Sequence, residues 1–108
     1  MKQSHYRSYV FCLLAGMCAS VVAAPDTERQ AELLYLLKHD CGSCHGMTRK
    51  GGLGPPLLPE SLNEKPQPLL VNTVLYGRPG TPMPPWGGEL SEQDAQWLVE
   101  AMLRGEGL

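Results

Sequence analysis

A five-residue run, Cys41-Gly42-Ser43-Cys44-His45, constrains this chain of 108 residues more than any other feature. Two cysteines at this spacing on a helical turn can each add a thiol to one vinyl group of the same porphyrin. The histidine that follows is then placed beneath the iron, where its imidazole can serve as the proximal ligand. The C-x-x-C-H run therefore predicts one haem, attached covalently through Cys41 and Cys44, with His45 bound to the metal.

Three other kinds of site use the same residue types. A zinc site needs four ligands, and the sequence has no second C-x-x-C pair and no H-x-x-x-H pair. A thioredoxin-like redox pair needs strands in a βαβ context, and no alternating apolar pattern of useful length is present. A simple disulfide between the two cysteines is the remaining alternative.

The amino terminus has the organisation of a secretory signal peptide. Two basic residues precede an uncharged, mostly apolar stretch, Tyr9–Val22, and small residues follow it. Because a proline at position 25 disfavours cleavage directly before it, cleavage after Ala23 is favoured over cleavage after Ala24. We predict that residues 1–23 are a signal peptide. An uncleaved anchor is the alternative, although the apolar stretch is short for spanning a bilayer.

Cleavage leaves residues 24–108 as a single small domain. Cys12 and Cys18 leave with the signal peptide, so both remaining cysteines are used by the haem and no structural disulfide is possible. A domain of this size buries a modest core. We expect the haem to serve as part of that core.

The mature chain is acidic. Loss of Lys2 and Arg7 leaves seven Lys and Arg against eleven Asp and Glu, a net charge of −4. This balance argues against nucleic acid as a partner. Arg49 and Lys50 follow the cysteine motif, and we expect a solvated basic pair there, with a part in a docking surface as the alternative.

Three stretches show helical spacing of apolar residues between capping residues, namely Thr27–Asp40, Pro68–Tyr76 and Ser91–Arg104. Asp26 or Thr27 can cap the first, and Gly77 and Gly105 follow the ends of the other two. In the second stretch, Leu69, Leu70, Val74 and Leu75 are expected to face inward. The predicted architecture is all-α, with glycine- and proline-rich loops wrapped around a cofactor.

The order of these parts resembles that of a small class I monohaem cytochrome c. Residues 77–86, Gly-Arg-Pro-Gly-Thr-Pro-Met-Pro-Pro-Trp, and residues 51–55, Gly-Gly-Leu-Gly-Pro, are similar to segments of the NirC-type cytochromes c. Those proteins are encoded in denitrification gene clusters beside cytochrome cd1 nitrite reductase. The resemblance implies a class I cytochrome c fold of three to four helices around one covalent haem c.

Met83 is the expected sixth ligand of the iron, giving a His/Met pair suited to electron transfer. It lies 38 residues beyond His45, which is enough chain to reach the other face of the haem, and prolines on both sides stiffen its loop. Met47 is too close to His45 to cross the ring, Met102 lies on a helix face, and His39 precedes the attachment site. Packing of Met83 in a turn, without ligation, is the alternative.

Four further residues receive roles at the haem. By the same resemblance, the carbonyl of Pro55 accepts the second ring N–H of His45, which fixes the imidazole and raises its basicity. Leu57 is expected to pack on the haem. Arg78 and Trp86 flank the methionine loop and can each donate a hydrogen bond to a propionate. An ordinary loop role is the alternative for Pro55 and for Arg78.

These features predict a periplasmic electron carrier rather than an enzyme. The resemblance implies electron exchange with cytochrome cd1 nitrite reductase or with an enzyme that matures its d1 haem. One alternative is a small-ligand sensor or peroxidase-like protein in which Met83 dissociates. Another is an accessory protein that delivers d1 haem. No stable membrane anchor is expected once the signal peptide is cleaved.

Overall fold

The structure, a computed structural model, describes residues 23–108 of the chain. Within them the backbone forms helices joined by loops and no strand, which confirms the all-α prediction. The helices are α1 (Thr27–Leu36), a π-helical turn (Leu37–Cys41), α2 (Gly42–His45), α3 (Pro59–Leu62), α4 (Gln67–Tyr76) and α5 (Glu92–Arg104). Apart from Ala23, the predicted signal peptide lies outside this range. None of the helices described is long and apolar enough to cross a membrane.

The first helix runs further than the sequence indicates. Asp26 caps it, its side chain accepting a hydrogen bond from the backbone N–H of Arg29. Helical backbone then continues beyond the predicted end at Asp40, through the π-helical turn and α2, as far as His45. Gly46 ends the helix with a φ of 89°, a conformation that glycine adopts without strain. The cysteine motif therefore forms the last turn of a helix.

Both ends of α5 lie at capping residues. Ser91 is the N-cap of α5, and its side chain and that of Asp94 form a reciprocal capping box. Gly105 closes the same helix in the left-handed conformation. The sequence does not reveal α3, because four residues are too few to show helical periodicity.

The core lies where α5 packs against α1, α3 and α4. The largest fully buried side chains are Leu33 of α1 and Leu98 and Val99 of α5. Trp97 of α5 is buried in the same cluster. On α4 the predicted inward face is wrong in one position, because Leu69 is 54% exposed.

An ion pair joins the first and last helices. The Arg29 guanidinium contacts both carboxylate oxygens of Asp94, at 3.3 Å from Nε and 2.9 Å from Nη2. Asp94 is buried, and the hydrogen bond from Arg29 holds the pKa of this carboxyl below its usual range. A second carboxylate, that of Glu32, contacts Arg29 at 2.8 Å but is exposed.

Replacing Asp94 with Asn should lower the free energy of unfolding by about 2–3 kcal/mol at neutral pH, because it removes a buried charged hydrogen bond and weakens the cap of α5. The folded-state pKa of Asp94 is depressed, so this stability is present above the ordinary carboxyl pKa and is lost as the pH falls through the lowered value. Denaturant unfolding from pH 7 into the acid range measures both effects.

The matched control is Glu32→Gln, which removes the exposed carboxylate from the same arginine. We expect it to change stability by no more than about 0.5 kcal/mol. Equal effects of the two substitutions would contradict the assignment of Asp94 as the partner that joins the helices.

Candidate haem site

The two cysteines of the motif lie in different surroundings. Both are free thiols, Cys44 exposed and Cys41 partly buried against the core. Burial, with a smaller contribution from Asp40, raises the pKa of the Cys41 thiol to about 11. A redox-active C-x-x-C pair depends instead on a lowered thiol pKa. These surroundings disfavour the thioredoxin-like alternative and are compatible with attachment of a cofactor.

The loop after the motif folds back over the end of the helix. The backbone N–H of Gly54 donates to the carbonyl of Cys44 and that of Gly51 to the carbonyl of His45, both at 2.8 Å. These bonds satisfy carbonyls that the helix end would otherwise leave without partners. Glycine permits the close approach, because a Cβ at Gly52 would lie 2.8 Å from the Cys44 oxygen. The loop is thus joined to the motif by its backbone.

The same loop positions the imidazole of His45. Its Nδ1 lies 2.6 Å from the carbonyl oxygen of Pro55. A carbonyl can only accept, so Nδ1 carries the proton and Nε2 keeps a lone pair for a metal. Gly54 lies against the ring, since a Cβ there would be 2.7 Å from both Cε1 and Nδ1. The hydrogen bond to Pro55 and the contact with Gly54 together hold the imidazole in one orientation. The binding of His45 to iron stays a prediction.

The loop that carries Met83 is held to the end of α4. The N–H of Arg78 donates to the Met83 carbonyl at 3.2 Å, and the N–H of Trp86 donates to the Val74 carbonyl at 3.0 Å. A Cβ at Gly77 would collide with the Met83 oxygen at 2.6 Å, so the turn requires glycine. Met83 itself is partly buried.

Several elements contribute apolar side chains that are only partly buried. Leu57 and Trp86, both predicted site residues, are partly buried and pack against the core. Leu70 and Val74 do the same from α4. The sequence analysis predicts that these two residues face inward but does not assign them to the site. Their spacing of four residues, which places both on one face of α4, is the signal that could have done so. Arg78 is exposed, at the rim of an open groove of about 420 Å³.

The expectation of a solvated basic pair is wrong for Arg49. Lys50 is exposed, but Arg49 is only 2% exposed and has a left-handed backbone with a φ of 58°. Its side chain turns inward, and Nη2 donates to the carbonyl of Glu106, beyond α5. Burial lowers the pKa of this guanidinium. Nothing local in the sequence shows this contact, because its two ends are 57 residues apart.

These residues fit a covalent haem. Two thiols stand on the last turn of a helix, a histidine has a free Nε2, and apolar side chains of the neighbouring elements are only partly buried. Cys41 and Cys44 would attach the porphyrin, and His45 would bind its iron.

Comparisons with known proteins agree with this site. The family model described as cytochrome c oxidase, cbb3-type, subunit III, matches residues 28–100. Cytochrome c55X of Pseudomonas aeruginosa (strain PAO1) is 62% identical over 82 residues, which cover 76% of this chain and 69% of that protein. Cytochrome c55X of Stutzerimonas stutzeri is 54% identical over 86 residues, covering 80% and 76% of the two chains.

A solved structure, that of the c-type cytochrome NirC, superimposes with a TM-score of 0.75 at 61% identity, covering 76% of this chain and 96% of that one. The dihydro-heme d1 dehydrogenase of Pseudomonas aeruginosa (strain PAO1) is 40% identical over 87 residues, which are 81% of this chain but 16% of that enzyme. The resemblance inferred from the sequence is confirmed. The chain belongs to the NirC, or cytochrome c55X, family of c-type cytochromes, which are haem c proteins that carry electrons rather than act as enzymes.

Proposed function

We propose that this chain is a periplasmic electron carrier of denitrification, with one haem attached through Cys41 and Cys44 and with His45 and Met83 as the axial ligands. The observation that carries the proposal is the 2.6 Å contact between Nδ1 of His45 and the Pro55 carbonyl. It leaves Nε2 as the ring atom available to iron and strengthens it as a donor. When bound, the haem supplies one-electron chemistry at its iron.

The surroundings of the three methionines described favour Met83 as the second axial ligand. Met102 is 6% exposed inside the core cluster. Met47 follows the motif closely, and its sulfur would lie 3.3 Å from a Cβ at Gly42, on the motif helix itself. Only Met83 stands in a separate, backbone-anchored loop. A thioether ligand from that loop would complete a His/Met pair, which raises the reduction potential.

The remaining predicted residues would hold the porphyrin. Leu57 and Trp86 supply partly buried apolar surface, and Leu70 and Val74 extend it along α4. The Trp86 indole and the Arg78 guanidinium are the donors available for the propionates. These residues bind and orient the haem and exclude water from it.

Similarity to one enzyme supports the choice of partner. A stretch of the dihydro-heme d1 dehydrogenase resembles most of this chain while forming a small part of that enzyme. A cytochrome of this kind therefore occurs in one polypeptide with an enzyme named for d1 haem. We infer that the present chain exchanges electrons with a separate d1-haem protein, either cytochrome cd1 nitrite reductase or an enzyme that matures d1 haem. Export by residues 1–23 would place it in the periplasm with such a partner.

The surface around the motif suits contact with a partner. Residues 41–59 contain no Asp or Glu, although Asp40 directly precedes the motif and the chain as a whole is acidic. Leu53 is 95% exposed in this region, between two glycines that lie at the carbonyl of the exposed Cys44. An apolar side chain beside the attachment site offers a partner an uncharged contact next to the haem edge.

Rapid mixing of the reduced protein with oxidised cytochrome cd1 nitrite reductase should show electron transfer faster than enzyme turnover, without consumption of any other substrate. Leu53→Asp should slow the second-order rate by about tenfold, because it places a carboxylate in this apolar surface. The matched control is Leu108→Asp, at another exposed leucine outside the region.

Carbon monoxide binding separates the carrier from the sensor. If the ferrous wild-type protein readily forms a carbon monoxide complex, the result would contradict a closed electron carrier and favour a sensor.

Replacing Met83 with Ala should open one axial position, lower the reduction potential and let imidazole bind, while the haem stays attached through the cysteines. The ferric near-infrared band that arises from sulfur-to-iron charge transfer should disappear. Met102→Leu is the control, and we expect it to cost less than about 1.5 kcal/mol in stability and to leave the band intact. Persistence of the band in Met83→Ala would show that another residue is the ligand.

Replacing Gly54 with Ala should displace the His45 imidazole, because the added Cβ would lie 2.7 Å from two ring atoms. We expect loss of the hydrogen bond to Pro55, seen by NMR as faster solvent exchange of the Nδ1 proton. The imidazole then becomes a weaker donor to ferric iron, so the reduction potential should rise. Gly88→Ala is the control, since a Cβ there meets nothing within 4 Å. Unchanged exchange and potential in Gly54→Ala would contradict the tight fit of the ring.

A further inference from the structure

Arg49 has a conformation that its position in a turn does not explain. Its φ of 58° is one that glycine or asparagine would adopt more readily, yet an arginine is present. The side chain is enclosed by the protein itself, with 2% of the residue exposed. An arginine kept in a strained backbone conformation and buried indicates that the side chain has a use.

Backbone bonds at Arg49 join both ends of the loop that follows the motif. Its N–H donates to the carbonyl of Gly46, directly after His45, at 2.8 Å. Its carbonyl accepts from the N–H of Leu57, two residues after Pro55, at 2.9 Å. A shift of this residue therefore moves the segment that presents the Pro55 carbonyl to the imidazole.

The side chain joins the same loop to the end of the chain. Nη2 of Arg49 donates to the carbonyl of Glu106, in the turn that closes α5. That turn is itself held by the N–H of Glu106, which donates to the carbonyl of Ala101 at 2.9 Å. Nη1 has no acceptor and the guanidinium forms no ion pair within residues 23–108. One carbonyl is thus the main polar contact of a buried cation.

We propose that Arg49 is a positioning residue for the proximal histidine. It locks the turn after α5 to the loop at residues 46–57, and the locked loop holds the Pro55 carbonyl against Nδ1 of His45. The inference rests on the proposed axial role of His45. Among the hydrogen bonds described, none joins the carboxyl-terminal turn to the motif helix or to the methionine loop. Through Arg49, the turn nevertheless tunes the basicity of His45.

The test uses the haem-loaded protein and the variant Arg49→Gln. We expect the Glu106 amide to exchange with solvent roughly tenfold faster, the effect expected on losing a hydrogen bond from a charged group. The Nδ1 proton of His45 should also exchange faster. The imidazole then becomes a weaker donor, so the reduction potential should rise, whereas loss of the positive charge alone would lower it. Arg49→Lys, which keeps one cationic donor, should recover part of each change.

Two further variants separate positioning from charge and from folding. Lys50→Gln removes the same formal charge from the exposed neighbour and should leave all three readouts at wild-type values. Deletion of residues 106–108 removes the acceptor of Arg49 but not its charge, and it should reproduce the faster exchange at His45. The deletion alone decides the outcome if Arg49→Gln does not fold.

Wild-type exchange of the His45 proton in both Arg49→Gln and the deletion would overturn the proposal, and so would an equal effect of Lys50→Gln. Neither result would bear on the electron-transfer function, since none of the readouts uses a redox partner.

Discussion

The end of the motif helix is the point on which the rest of the site depends. A helix leaves its last carbonyls without partners, and the N–H groups of Gly51 and Gly54 supply them in this protein. The loop that makes these bonds also brings the Pro55 carbonyl to within 2.6 Å of the His45 ring. Capping of the helix and orientation of the histidine therefore occur together in folding. Glycine is needed in this loop because a Cβ at Gly52 would meet the Cys44 carbonyl and a Cβ at Gly54 would meet the His45 ring.

Two regions of the molecule differ in how completely their apolar side chains are buried. Between α1 and α5, apolar side chains such as Leu33 and Leu98 are fully buried, and the Arg29–Asp94 pair joins the two helices. Along α4 and the two loops, the apolar side chains are only partly buried. The first region supplies a stable base made of protein alone. The second presents an apolar surface and ligands to a flat cofactor, so the cofactor is expected to complete the core rather than to create it.

Local signals in the sequence predict the three longer helices and the motif, but not α3 or the continuation of the first helix to His45. Capping residues such as Asp26 and Ser91 act within three residues of themselves, and their patterns identify helix ends well. Contacts between distant residues leave no such pattern. The partners in the Arg29–Asp94 pair are 65 residues apart, and Arg49 could be placed inside the protein only once its acceptor beyond α5 was seen. The role of Pro55 follows from the resemblance to cytochromes c, whereas the contact of Gly54 with the His45 ring depends on the fold and leaves no pattern in the sequence.

An electron carrier needs ligands that stay fixed while the charge of its metal changes, because reorganisation would slow the exchange. We assign that rigidity to the backbone hydrogen bonds around His45. A crystal structure of the haem-loaded protein tests this assignment most directly. We predict that Nδ1 of His45 remains within hydrogen-bonding distance of the Pro55 carbonyl, with Nε2 on the iron and the Met83 sulfur on the opposite face. A ring turned away from Pro55, or a metal bound through Nδ1, would contradict the assignment.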